Sequence, residues 1–94
     1  MVDIKSVLIV ESVGTKCVDI LKQHGIKVTQ KFSLTDKELI NEIPEYDAII
    51  VQTATRITID VLFAGKRLKV VASGGAYSKN IDILAAISRN ISVI

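Results

Sequence analysis

One cysteine, one histidine and four scattered aromatic residues are all that this 94-residue chain has of several side chains that commonly carry chemistry. With Cys17 alone, no disulfide can close within the chain and no set of thiolates can hold zinc, so a reducing, cytoplasmic setting is expected. Phe32, Tyr46, Phe63 and Tyr77 form no run on which bases could stack. The formal charge is only +2 and no Lys/Arg-rich run concentrates it, which gives no reason to expect a nucleic-acid partner. The longest apolar run, Ile83 to Ile87, is 5 residues. A bilayer needs about 20, so no membrane partner is expected. Met1 to Lys5 carry Asp3 and lack the apolar core of a signal peptide. Neither a G-x-G-x-x-G nor a G-x-x-x-x-G-K-S/T pattern occurs. His24 falls at the end of an expected helix, with no nucleophile or carboxylate obviously near, which favours a capping or packing role over catalysis.

What is present is a regular alternation. Hydrophobic residues make up 49% and charged residues 23%, a globular mix that excludes disorder. The length accommodates one domain, residues 1–94, burying roughly 60–70% of its unfolded surface. Ser6 to Val10, Ile26 to Thr29, Asp47 to Val51, Lys69 to Ala72 and Ile91 to Ile94 read as five buried strands. Between them lie four helical segments. Thr15 to His24 places Cys17, Ile20, Leu21 and His24 on one face, and Gly25 supplies a left-handed stop. Thr35-Asp36-Lys37-Glu38 is a capping box opening a helix with Leu39, Ile40 and Ile43, closed at Pro44. Thr58 starts a helix expected to bury Val61, Leu62 and Phe63 and to end near Gly65. Asp82 caps a helix through Ile83, Leu84, Ala86 and Ile87, with Asn90 in the left-handed position after it. Right-handed crossovers then predict a three-layer, doubly wound, flavodoxin-like parallel sheet in the order 2-1-3-4-5. No helix follows the fifth strand, so an uncovered sheet face is expected there, with Ile91, Val93 and Ile94 available for self-association.

In such sheets, ligands bind where the strands end, near the switch in strand order. Three segments lie there: Glu11 to Gly14, Gln52 to Arg56, and Ser73 to Lys79. The second and third offer hydroxyls, backbone amides and the cations Arg56 and Lys79, a setting for a small anion. Gly74-Gly75 reads either as a tight strand-to-helix turn or as a place where amides approach a carboxylate closely. Cys17 reads as inert packing. Asp47 and Glu45 precede a strand at the opposite end, and Lys66, Arg67 and Lys69 form a small basic turn that reads as a solvated edge.

Taken together, Glu38-Leu39-Ile40, the run from Asp47 to Thr58, Leu68 to Ala72 and Asn80-Ile81-Asp82 resemble the N-terminal part of D-isomer-specific 2-hydroxyacid dehydrogenases, above all the phosphoglycerate-dehydrogenase branch. The likeness runs from about Ser6 to Ile94 without gaps. It implies the front of a substrate-binding domain. It also implies that the family's catalytic Arg, Glu and His, and its NAD-binding loop, would lie beyond Ile94. On that footing the chain itself is expected to bind no cofactor and to have no catalytic residue.

The resemblance also marks departures. The family's third strand is usually followed by Arg-Ser-Ala-Thr, whose Arg helps bind substrate phosphate; here Gln52, Thr53, Ala54 and Thr55 stand there. The loop after the fourth strand usually reads Gly-Arg-Ala-Gly-Thr-Gly-Val-Asp-Asn. Ser73 here replaces the base, Tyr77 a glycine and Lys79 the acid. The expectation is a degraded substrate site formed by Gln52, Thr53, Ala54, Ser73, Gly74, Gly75 and Ala76, binding a phosphorylated or carboxylate ligand weakly. Three readings remain open: a truncated or diverged substrate-binding domain inactive alone, a segment of an active NAD-dependent dehydrogenase, and a non-enzymatic module that docks on itself or on a full-length homologue through its edge strand.

Overall fold

Short β-branched runs separated by capped helices fold into a parallel sheet wound on both faces. The computed structural model describes residues 3–52, 54–73 and 80–94. The order of elements is β1 (Ser6–Ile9), α1 (Thr15–Gln23), β2 (Lys27–Gln30), α2 (Asp36–Glu42), a 3-10 turn (Ile43–Glu45), β3 (Ala48–Val51), α3 (Ile59–Ala64), β4 (Val70–Ser73), α4 (Ile83–Ser88) and β5 (Ser92–Val93). The sheet runs β2-β1-β3-β4-β5, with every neighbouring pair parallel. The direction of travel reverses once, between β1 and β3, which sets the switch point there.

Side-chain alternation along the strands divides the core in two. Leu8, Val10, Ile49, Val51 and Val71 face one layer, formed by Leu39 of α2, Val61 and Leu62 of α3, and Ala85 and Ala86 of α4. Val7, Ile9 and Ala48 face the other, covered by Val18 of α1 with half-buried Leu21. Ile50 and Val70 pack against that second cluster but are only partly covered.

The local stop and start signals operate as their chemistry predicts. The Thr35 hydroxyl accepts from the Glu38 amide at 3.2 Å and Glu38 accepts from the Thr35 amide at 2.9 Å, completing the capping box. Thr58 and Asp82 cap α3 and α4 by accepting from the Val61 and Ala85 amides, without the reciprocal bond. Gly25 and Asn90 take left-handed conformations, at φ 75° and 58°. Gly65 ends α3 for a different reason. Its φ of −76° suits any residue, but a Cβ there would lie 2.9 Å from the Leu68 Cβ. Glycine supplies room, not a special backbone angle.

Helix facing differs from expectation at three places. Val18, not Ile20, is the residue of α1 that is buried, and Ile20 is 55% exposed, as is the side of the helix it shares with His24. Phe63 is 53% exposed, because Val61 and Leu62 fill the sheet side of this six-residue helix and the next residue turns about 100° away. In α4 the bulky Ile83, Leu84 and Ile87 point outward while Ala85 and Ala86 face the sheet. Small residues on the inner face let this short helix approach the strands closely. Ile91 is buried in the first cluster rather than displayed at the edge, whereas Ile94 is exposed. Among the described residues, no helix is long and apolar enough to cross a membrane.

Candidate functional site

The carboxyl ends of β1, β2 and β3 surround a cleft of about 500 Å³ at the switch point. Glu11 and Ser12 form one wall, Phe32 and Leu34 a second, and Ala54 to Arg56 a third. Among the described residues, Arg56 is the cation lining this cleft, and Glu11 and Asp36 are the acids.

Glu11 organises the loop after β3. Its carboxylate accepts from the amides of Gln52 at 2.6 Å, Ala54 at 3.1 Å and Thr55 at 3.1 Å. Burial pushes this carboxyl up, but the Gln52, Ala54 and Thr55 amides and the Thr55 hydroxyl outweigh it and hold it below its ordinary value. The opposite polarity is supplied by Asn80. Its side-chain amide donates to the carbonyls of Gln52 at 2.9 Å and Thr55 at 2.6 Å. Gln52 also reaches across to the Ser12 carbonyl at 3.1 Å. An isolated parallel bridge between Ile57 and Ile81 ties the loop's far end to the start of α4. The turn is thus held on its donor side by a residue after β1 and on its acceptor side by a residue before α4.

The residues singled out from sequence fall as follows. Gln52 is half-buried, and Ala54 lies exposed on the cleft with its amide already engaged by Glu11. Ser73 ends β4 opposite Val51, and Gln52 follows Val51, so the two lie at the ends of adjacent strands, one register step apart. The Ser73 amide donates to the Ile94 carbonyl at 2.9 Å. Thr53, Gly74, Gly75, Ala76, Tyr77 and Lys79 lie outside the described residues. His24 is remote from this end: its Nδ1 caps α1 by contact with the Ile20 carbonyl at 2.8 Å. Cys17 is half-buried on α1. Among the described residues, no group of three His, Cys, Asp or Glu side chains is placed to hold a metal ion.

Two structural carboxylates escaped sequence reasoning. Glu11 was visible only as part of a loop, and Asp47 only as a residue at the wrong end of a strand. Asp47 is 3% exposed. It accepts from the amides of Lys5 at 2.9 Å and Ser6 at 3.2 Å and pairs with Arg67 at 3.4 Å. Burial raises its carboxyl, but those amides and the charges of Arg67 and Lys69 bring it below the ordinary value. A carboxylate in an otherwise apolar stretch was the available signal in both cases. Their amide partners, more than 40 positions away, were not visible.

Comparison with known proteins places this arrangement. The family model described as "D-isomer specific 2-hydroxyacid dehydrogenase, catalytic domain" matches residues 7–94. The D-3-phosphoglycerate dehydrogenase of Archaeoglobus fulgidus is 36% identical over 88 residues, covering 94% of this chain but 17% of that protein. A crystal structure of a Pyrococcus horikoshii protein superposes with a TM-score of 0.90 at 31% identity, over 95% of this chain and 26% of the other. The 3-phosphoglycerate dehydrogenase of Entamoeba histolytica, solved with NAD+, shares the fold at a TM-score of 0.87 and 23% identity, over 98% of this chain and 32% of that one. This chain therefore spans about a sixth of the length of the curated relatives it matches.

Proposed function

Because the chain belongs to the D-isomer-specific 2-hydroxyacid dehydrogenase family, we propose that it is a substrate-recognition domain of the D-3-phosphoglycerate dehydrogenase type, diverged where the acid would bind and inactive by itself. One observation supports this reading: Ser73 pairs with Val51, and Gln52 follows Val51 directly, so Gln52 and Ser73 lie one register step apart at the carboxyl ends of the neighbouring strands β3 and β4. These are the two positions where the resemblance expects arginine. An arginine forks onto paired oxygens of a phosphate, and neither replacement carries charge. Glu11 and Asn80 hold the turn after β3, while Gln52 and Ser73 bring no charge to it.

In whole enzymes of the family, NAD accepts the hydride when bound. The described residues do not fit that group. The turn after β1 carries the Glu11 carboxylate where a dinucleotide site presents glycines to a pyrophosphate. The sole histidine caps α1 instead of facing the cleft. What Glu11 and Asn80 do is hold Gln52, Ala54 and Thr55 after β3.

The experiment is an amide NMR titration with 3-phosphoglycerate. Each lost charge-assisted contact costs about 1.5–3 kcal/mol, or roughly ten- to a hundredfold in affinity, so binding at about millimolar or weaker is expected. Gln52→Arg with Ser73→Arg should tighten it by roughly tenfold or more. No shift at the Gln52, Ala54, Thr55 and Ser73 amides, even in the double variant, would overturn the reading.

A second reading is favoured by the apolar side chains left outside. Leu84 is 81% exposed, with Ile87 and Ile94 also exposed. Apolar surface of this kind supports self-association. A concentration-dependent sedimentation coefficient that is lost in Leu84→Glu/Ile87→Glu is expected; a strictly monomeric profile at high concentration would remove this reading.

A further inference from the structure

The chain's surplus of positive charge is gathered at the end of the sheet opposite the ligand loops. A cavity of about 420 Å³ opens there, at the amino ends of β1, β3, β4 and β5. Five of the chain's 12 cations and two of its 10 acids line it, so the cavity carries +3 and the remainder of the chain −1. The two acids are already answered. Asp47 is held by the Lys5 and Ser6 amides and by Arg67, and Asp3 lies 3.8 Å from Lys5. Among the described residues, Lys66, Lys69 and Arg89 have no acidic partner within ion-pair distance.

Lys66 and Arg89 stand without an acidic partner among the described residues and Lys69 meets the Asp3 carbonyl at 3.1 Å, so the net positive charge around this concavity raises the local concentration of anions. Arg89 is also held in position. It is half-buried, donates to the Gly65 carbonyl at 3.1 Å, and lies over the Phe63 ring at 5.8 Å. One guanidinium nitrogen is thereby committed, and the fork is oriented before any ligand arrives. Lys66 and Lys69 are exposed on the turn and strand start beside it, compact charges on flexible stems. A fixed guanidinium with one movable ammonium, Lys66, and a second, Lys69, held at the Asp3 carbonyl suits a tetrahedral anion with several charged oxygens better than a single carboxylate.

We propose that this basic cavity is a binding site for a small anion bearing a phosphoryl group, separate from the loops at the carboxyl ends of the strands. The volume lies within the range of small-molecule sites, about 300–1,000 Å³. The sequence expectation of a merely solvated basic turn included only Lys66, Arg67 and Lys69. The fold adds Lys5 and Arg89 from distant parts of the chain.

The test is an amide NMR titration of the full chain with inorganic phosphate and with pyrophosphate, at ionic strength held constant with sodium chloride. Saturable shifts are expected at Lys66, Arg67, Lys69 and Asn90, with pyrophosphate binding at least about tenfold tighter than phosphate because it carries more charged oxygens. Lys66→Glu/Lys69→Glu, at two exposed positions, should weaken pyrophosphate binding by about tenfold or more. Arg89→Lys keeps the charge but loses the fork, and should weaken it less. Sodium chloride moving the same amides to the same extent would overturn the proposal. So would wild-type-like pyrophosphate binding by a folded Lys66→Glu/Lys69→Glu variant. Shifts at Gln52, Ala54 and Thr55 instead would report the other end of the sheet, keeping this result distinct from the substrate-loop reading.

Discussion

The two ends of the β1–β3 pair are built on the same device used in opposite directions. At the amino end, Asp47 before β3 reaches to the amides of Lys5 and Ser6 at the start of β1. At the carboxyl end, Glu11 after β1 reaches to the amides of Gln52, Ala54 and Thr55 after β3. Each carboxylate satisfies backbone donors that the ladder leaves over where the strands end. The difference lies in the surroundings. Asp47 is buried and has Arg67 as a partner; Glu11 is less enclosed and faces an open cleft. The amino-end clasp is therefore suited to holding the sheet, and the carboxyl-end clasp to shaping a loop.

The largest effect should come from Asp47→Ala, which leaves two amides and Arg67 without their acceptor. A loss of about 3 kcal/mol is expected, measured by urea denaturation. Glu11→Gln keeps the size and one acceptor oxygen but loses the charge. It should cost about 1–2 kcal/mol while accelerating hydrogen exchange at Gln52, Ala54 and Thr55 and leaving the strand amides of β1 protected. If Glu11→Gln proves as costly as Asp47→Ala, the division of roles between the two ends is wrong.

Acid sharpens the same comparison. Both carboxyls lie below their ordinary values in the folded protein. Their stabilisation is thus complete above the unfolded-state values, near pH 4, and is lost as the pH falls through the lower folded values. Stability should decline on acidification below about pH 5, and the decline should be shallower in Asp47→Asn/Glu11→Gln. An unchanged acid slope in that variant would assign acid sensitivity to other groups.

Smaller effects separate local from tertiary causes. Gly65→Ala should cost about 1–3 kcal/mol by forcing Leu68 aside, although the backbone angle at Gly65 suits alanine. Thr35→Ala should cost about 1 kcal/mol through loss of the cap, measured by urea denaturation. A Gly65→Ala variant as stable as the parent would show that the Leu68 side chain yields freely.

Strand and helix order, the capping residues Thr35, Thr58 and Asp82, and the stops at Gly25 and Asn90 could all be read from residues a few positions apart, because capping and turn chemistry act within one helical turn. The strand order followed from the alternation of elements and the handedness of crossovers, together with the family likeness. What only the tertiary structure decided is everything that depends on distant partners. Phe63, Leu84 and Ile87 are as apolar as the residues that are buried, and only the fit of α3 and α4 on the sheet turns them outward. Glu11 and Asp47 gain their roles across more than 40 residues of chain, and Arg89 joins Lys66 and Lys69 only because β5 is paired with β4. A carboxylate or a guanidinium carries no mark of its partner in the sequence; the partner is fixed by strand register, which forms only when the whole sheet does.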